Sequence, residues 1–324
     1  MIPKNEHDIM ASWSDKKPLV SIICATFNHE IYIKEAINGF LLQETTFPFE
    51  IIIHEDVSTD NTAAIVRSYV KSYPHLIKPI FQTENQYSKG ASPLLNALAH
   101  AQGDYIAICE GDDYWTDPHK LQTQADYLNA HSDFSMMAHA VTVLDETITG
   151  TSYTPYAPVL KRVHYFDDIL REHFIPTLSL MIRKSAIPKP MPAFFYQIIS
   201  RDIAIELLAA SLGPCYYDAQ PRGVYRHHDS GMTKTPIHPT KERALRYTLY
   251  LGLLDYLGQD YQKPLRQKLA WVDLVAAVAL LRDYRSFNGI LFAKALIKDP
   301  WVIFKILLRK YQRWSAAKQP IQPD

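Results

Sequence analysis

An α/β architecture is predicted, with a mostly parallel sheet covered by helices on both faces and an all-helical region after it, from three features of the 324-residue sequence. Short apolar, β-branched runs alternate with helix-period segments through the first half, at the length of parallel strand–helix units. Acidic residues gather just after two of those runs: Glu55 and Asp56 after EIII at 50–53, and Glu110, Asp112 and Asp113 after YIAIC at 105–109. Beyond about residue 240 the pattern becomes wholly helical.

The elements follow in order. LVSIIC at 19–24 reads as the first strand, and Ile33, Ala36, Ile37, Phe40 and Leu41 then recur at the spacing of an amphipathic helix. EIII is the second strand. A helix over 62–73 is expected to bury Ile65, Val66, Tyr69 and Val70 and to stop at Pro74, whose ring and missing N–H oppose continuation. A third strand fits 77–82. Ser92 and Pro93 have the chemistry of an N-cap and a first helical residue, Leu94, Leu95 and Leu98 supply an apolar stripe, and Gly103 closes the segment. After the strand at 105–109, Asp117-Pro118 is expected to open another helix in the same way. AIPKPMP at 186–192 reads as a loop, and DIAIELLAA at 202–210 as an amphipathic helix. LAWVDLVAAVALL at 269–281 is too short to cross a bilayer and is interrupted by Asp273, so a helix packed within protein is predicted.

Composition narrows the partners. Lys plus Arg and Asp plus Glu are 34 each, so no overall charge draws the chain to nucleic acid, and none is expected as a partner. Cys24, Cys109 and Cys215 lie far apart, without the short paired spacings of a zinc or redox site, and are read as reduced, buried thiols. The N-terminal MIPKNEHDIMASW lacks the basic start and apolar core of a signal peptide, and no run of about 18 apolar residues occurs. A cytoplasmic protein is therefore expected.

Three carboxylates crowded at one strand end repel one another, which a shared divalent cation or polar ligand would relieve. In parallel sheets ligands collect at the carboxyl ends of strands, where Asn28, Asp56 and Asp112 all fall, so these three positions are expected to converge. No G-x-G-x-x-G occurs among the eleven glycines, which disfavours a dehydrogenase. The segment ATFNHEIY after the first strand has no glycine and so lacks the Gly-rich basic loop of a nucleotidyltransferase. That enzyme class and a non-catalytic sugar-binding module are the competing readings.

VSIICATFNHEIYIKEAI, FEIIIHEDVSTDNTAAIV and GDYIAICEGDDYW resemble, in order and spacing, the nucleotide-sugar-binding half of glycosyltransferase family 2, inverting enzymes with the GT-A fold. The likeness continues through Ser200-Arg201-Asp202 and Gly223-Val224-Tyr225-Arg226-His227-His228, covering roughly residues 18–232. It departs in two places: the usual Asp-Asp-Gly-Ser is Glu55-Asp56-Val57-Ser58, and the acidic cluster begins with Glu110 where many relatives have Asp. The resemblance implies a 1–17 extension, a GT-A catalytic domain at 18–232 divided near 135 into nucleotide-sugar and acceptor halves, and a helical region at 233–324.

It also implies roles. Asp56 corresponds to the carboxylate that accepts from a uracil N–H, with Ala25 and Asn28 lining the same base pocket; Asp112 is placed for the ribose or metal. Asp113 is the expected ligand of Mn²⁺ or Mg²⁺, hard ions that take oxygen donors, and His228 matches a histidine that approaches the metal or diphosphate. Lys89 could contact phosphate, and Tyr114 or Trp115 could stack on sugar. Asp202 resembles the catalytic base, though a first-turn helix acid has the same sequence pattern. The partners that the resemblance implies are a nucleotide-sugar donor, UDP-linked, and a glycan or lipid-linked acceptor. In DPWVIFKILLRKYQRW at 299–314 an aromatic-rich face opposes Lys305, Arg309, Lys310 and Arg313, a pattern shared by a helix lying peripherally on the inner face of a membrane and by a helix capping the catalytic domain with its basic side in water.

Overall fold

The computed structural model describes residues 3–146, 151–153, 161–229, 231, 238–284 and 289–301. It divides into two compact units, the first comprising residues 1–191 and 202–234, the second 192–201 and 235–324. The Pro-rich loop thus ends by lending 192–201 to the helical unit.

The first unit opens with α1 (Glu6–Met10), β1 (Val20–Thr26), α2 (Ile33–Leu41), β2 (Phe49–Glu55), α3 (Thr62–Ser72), β3 (Ile77–Phe81), α4 (Pro93–His100), β4 (Tyr105–Ile108) and β5 (Tyr114–Trp115). It continues through α5 (Lys120–Ala130), β6 (Met136–His139), β7 (Thr142–Asp145), β8 (Thr151–Tyr153), β9 (Val163–His164), α6 (Phe166–Arg171), β10 (Met181–Arg183), α7 (Arg201–Ala210), β11 (Cys215–Asp218) and β12 (Gly223–His227). The main sheet has eight strands in the order β3-β2-β1-β4-β10-β6-β11-β9. Strands β3, β2, β1 and β4 run parallel, as do β6 and β11, while β10 and β9 run against their neighbours. A second sheet, β5-β12-β7-β8, brings the β12 segment against the turn that follows β4.

Burial explains the strand compositions. Every residue of β2 and β4 is buried, the mark of strands covered on both faces, and Ile33, Ala36, Ile37, Phe40 and Leu41 of α2 form the predicted buried stripe. Within residues 3–17, Ile9 is buried, the Trp13 ring meets Phe49 edge-on at 5.2 Å, and Glu6 accepts from His75 and Leu76 N–H. The Ser92 hydroxyl accepts from Leu95 N–H and caps α4 with Pro93 in its first turn. That helix buries Ala97 fully, with Leu94, Leu95 and Leu98 half-buried. Gly103 does not cap it. The residue lies where backbone meets backbone, since a β-carbon there would sit 2.6 Å from Ser21 N, and its N–H donates to Ser21 Oγ.

Two helix expectations need correction. The helix after β4 begins at Lys120, not at Asp117-Pro118; the Asp117 carboxylate accepts from His119 N–H in a turn before the helix and pairs with Arg222. Helix α7 is buried from Ala204 to Ala210 on all sides, Glu206 included, so its pattern is that of an interior helix rather than an amphipathic one. The three cysteines are free and buried, as expected.

The second unit contains α8 (Pro239–Leu257), α9 (Gln262–Tyr284) and α10 (Gly289–Lys298). The charge that interrupts the apolar run is its centre: Asp273 of α9 is fully buried and accepts from Arg243 Nε at 2.7 Å and Tyr247 Oη at 2.5 Å on α8, and it pairs with Lys298 of α10. Burial alone would raise the Asp273 carboxyl, but these three donors hold it below the usual range. Among the described residues no helix is long and apolar enough to cross a membrane. Of the helix expected at 299–314, all but 299–301 lies outside the described residues.

Two predictions follow from local strain and burial. Val57 has φ 63°, a left-handed conformation that costs a β-branched residue roughly 1–2 kcal/mol. Allowing for glycine's greater unfolded entropy, Val57→Gly is expected to stabilise the chain by about 1 kcal/mol in denaturant unfolding. A loss of stability would show that the Val57 side chain matters more than its backbone. Lys120 is fully buried, its Nζ donating to Gln124 Oε1 at 2.6 Å and lying 4.0 Å from the Trp115 ring centre, and burial pulls its ammonium down from 10.5 to about 7. The unfolded chain therefore binds more protons than the folded one between these values, and this group's contribution to stability rises with pH. Relative to Lys120→Met, the parent should gain roughly 2 kcal/mol between about pH 7 and pH 9, read from paired denaturation curves.

Candidate active site

The carboxyl ends of β1, β2 and β4 meet in one cleft edge, held by loop-to-loop hydrogen bonds. After β1 the chain turns at Asn28, whose φ of 55° an asparagine tolerates, and Asn28 Oδ1 accepts from Thr59 N–H at 2.8 Å. Asn28 N–H donates to Ser58 Oγ, His29 N–H to Thr62 Oγ1, and Glu30 N–H to Asp60, so the loops after β1 and β2 are stitched together. Asp56 N–H reaches Thr26 O at 3.1 Å, and the buried Asp56 carboxylate accepts from Gln86 and Tyr87 N–H at 2.7 and 2.9 Å. Asp56 thus anchors the loop that carries Lys89. Lys89 itself is exposed and paired with Glu84.

The acidic turn after β4 docks on β1, where Gly111 N–H donates to Ala25 O at 3.0 Å. One oxygen each of Glu110, Asp112 and Asp113 lies within 4.8 Å of the others. Asp113 is buried, with Oδ1 accepting from Arg226 N–H at 2.8 Å. Asp112 Oδ2 lies 3.2 Å from His228 Nε2 and 3.7 Å from His29 Nε2, whereas its Oδ1 is buried without a partner. Burial and the Asp112 charge push the Asp113 carboxyl well above the usual range. The protein surroundings, then the charges of Asp112 and Asp202, push Glu110 up to about 8, although its side chain opens to solvent, which moderates the effect. Burial would raise Asp112 too, but the His228 hydrogen bond and the nearby His29 hold it below the usual range. Three carboxylates, two of them resisting ionisation, and one orphaned buried oxygen form a donor set that lacks positive charge. Its hard oxygens and adjacent imidazole fit Mn²⁺ or Mg²⁺.

Asp202 stands in the first turn of α7, and its charge reaches both Glu110 and, one turn on, Glu206. His227 faces Asp145 at 3.0 Å. Trp115 is buried in the core with Nε1 donating to Leu178 O, which removes it from any sugar platform, and Tyr114 is half-buried under Arg226.

Sequence reasoning missed the groups around this cluster. Arg226 is nearly buried: it pairs with Glu35, lies 3.5 Å from Glu146, donates to Asp112 O at 3.3 Å, and covers the Tyr32 and Tyr114 rings at 5.0 and 4.6 Å. Tyr32 donates to Glu146 at 2.9 Å and packs on the His228 ring at 4.7 Å. Arg226 and His29 were visible inside the motifs, but no spacing rule links either to Asp112.

The glycosyl transferase family 2 profile matches residues 21–208, over half of the chain. An uncharacterized glycosyltransferase of Nostoc sp. is 37% identical over 298 residues, 89% of this chain and 88% of that protein. The UDP-Glc:alpha-D-GlcNAc-diphosphoundecaprenol beta-1,3-glucosyltransferase WfaP of Escherichia coli is 35% identical over 148 residues, 44% and 56% of the two chains. The chain spans 60% of the length of the mycobacterial proteins to which it is 35% identical. In fold it is similar to S. aureus TarS, crystallised with UDP-GlcNAc, with a TM-score of 0.60 and 16% identity over 87% of this chain and 90% of that one. The acidic turn, the stitched strand ends and the profile match agree: the chain belongs to glycosyltransferase family 2.

Proposed function

We propose that this protein transfers a sugar, with inversion, from a UDP-linked donor to a hydroxyl of a glycan or lipid-linked acceptor. The observation that carries the reading is the orphaned Asp112 oxygen among Glu110 and Asp113, with Asp202 within electrostatic reach. Binding of UDP-GlcNAc by TarS and the lipid-diphosphate acceptor in the name of the E. coli relative favour this donor and acceptor class.

Ala25, Asn28 and Asp56 would hold the base, with Asp112 toward the ribose and Lys89 toward phosphate once released from Glu84. Asp113 and His228 would hold the Mn²⁺ or Mg²⁺, joined by Asp112, whose buried Oδ1 has no partner. When bound, the cation supplies positive charge against the departing diphosphate. Asp202 takes the proton of the acceptor hydroxyl as that oxygen bonds to the anomeric carbon. The bond from the anomeric carbon to the diphosphate breaks, releasing UDP, and attack from the opposite face inverts the centre.

Residues 299–314 would rest on anionic lipid at the inner face of the membrane. Lys298 is tied to Asp273, so a chain ending there keeps the helical unit's buried ion pairs.

Asp202→Asn should lower transfer by roughly 10²–10⁴-fold while donor affinity, measured by calorimetry, stays near the parent's. Transfer at the parent rate would return Asp202 to a helix-end acid. Donor hydrolysis across a panel of nucleotide sugars with Mn²⁺ identifies the donor, and hydrolysis of none of them would sink the enzymatic reading. In flotation, anionic vesicles should carry the full chain but not one ending at Lys298, and neutral vesicles neither. Equal recovery of both chains on anionic vesicles would remove the membrane role.

A further inference from the structure

Two imidazoles converge on one oxygen of Asp112, His228 Nε2 at 3.2 Å and His29 Nε2 at 3.7 Å. A histidine nitrogen either carries a proton or offers a lone pair, so an Nε2 that ligates a cation cannot also donate to a carboxylate. Once His228 serves a cation, Asp112 Oδ2 keeps His29 as its facing imidazole. We propose that His29 is a positioning residue: at 3.7 Å its Nε2 stops short of a hydrogen bond to Oδ2, and in the cation-loaded site the Nε2–H closes on Asp112 and orients the carboxylate; this rests on the reading of that site given above.

The surroundings of His29 select the tautomer that this role needs. Its Nδ1 is buried with no partner and lies against Gly111, where even a β-carbon would come within 2.9 Å of it. With nothing for Nδ1–H to donate to, the proton belongs on Nε2, the nitrogen that faces Asp112. The same proton makes Nε2 a donor and not a ligand. The ring is also held in place: His29 N–H donates to Thr62 Oγ1 at 2.8 Å, and Tyr32 meets the imidazole edge-on at 6.4 Å. Carboxylates that ligate metals are commonly held by such donors, and losing one typically costs 10–100-fold in metal affinity.

The test is Mn²⁺ titration calorimetry with UDP present, on the parent chain, His29→Phe, His29→Gln and His228→Ala, with pulsed EPR of the bound Mn²⁺ to detect nitrogen ligands. His29→Phe keeps a ring but no donor, and should bind Mn²⁺ roughly 10–100-fold more weakly. His29→Gln restores an N–H donor and should recover to within a few-fold of the parent. The nitrogen coupling should persist in both His29 variants and vanish in His228→Ala. Parental Mn²⁺ affinity in His29→Phe overturns the inference, as does a nitrogen coupling lost there, which would make His29 a ligand. A parent chain that binds no Mn²⁺ with UDP overturns the metal reading itself, an outcome distinct from the other two. Metal-free UDP binding and circular dichroism verify that each variant is folded; should His29→Phe not fold, His29→Ala against His29→Gln supplies the same contrast.

Discussion

The repulsion among carboxylates at the carboxyl edge of the sheet is the constraint on which the site's construction depends. Glu110, Asp112 and Asp113 project from one tight turn, and Asp202 adds its charge from the start of α7. Left uncompensated in a partly buried setting, such a group would shift toward the protonated form, as burial does to Asp113. The protein answers with oriented donors from separate parts of the chain. Arg226 N–H satisfies Asp113, while His228 and His29 flank Asp112. The compensation stops short by one oxygen, Asp112 Oδ1. An acidic centre built to this point retains a place for added positive charge.

Holding these groups together is the task of the surrounding loops. The turns after β1 and β2 exchange hydrogen bonds through Asn28, Ser58, Thr59, Asp60 and Thr62, and Asp56 fastens the loop after β3 by two backbone N–H groups. Strand β12 joins the second sheet to β5, so the Arg226–His228 segment is laid against the acidic turn by backbone pairing. The same principle recurs away from the site: Asp273 draws donors from α8 and α10 into the interior of the helical unit. Burying such an ion is costly unless each partner is supplied, and here Arg243, Tyr247 and Lys298 supply them.

Local chemistry made much of this legible beforehand. Strands β1 to β4, helices α2, α3 and α4, and the Ser92 cap follow from apolar period and capping rules that act within a few residues. The acidic positions at two strand ends were readable because strand and loop are adjacent in sequence. The start of α5 was misplaced because Asp117 serves a turn and an ion pair with Arg222, over a hundred residues away. The interior character of α7 escaped for a similar reason: what covers a helix on its far side is not written in the helix.

By itself, therefore, the sequence determined the alternating α/β architecture, the carboxylates at the strand ends and the family resemblance, since each is carried by residues close in the chain. Tertiary structure alone decided which groups meet those carboxylates: Arg226 against Asp113, His228 and His29 on either side of Asp112, and Tyr32 between His228 and Glu146. These pairings join segments separated by up to two hundred residues, brought together by sheet order and backbone register. Electrostatics falls off with distance in space, not along the chain, and only the fold sets that distance.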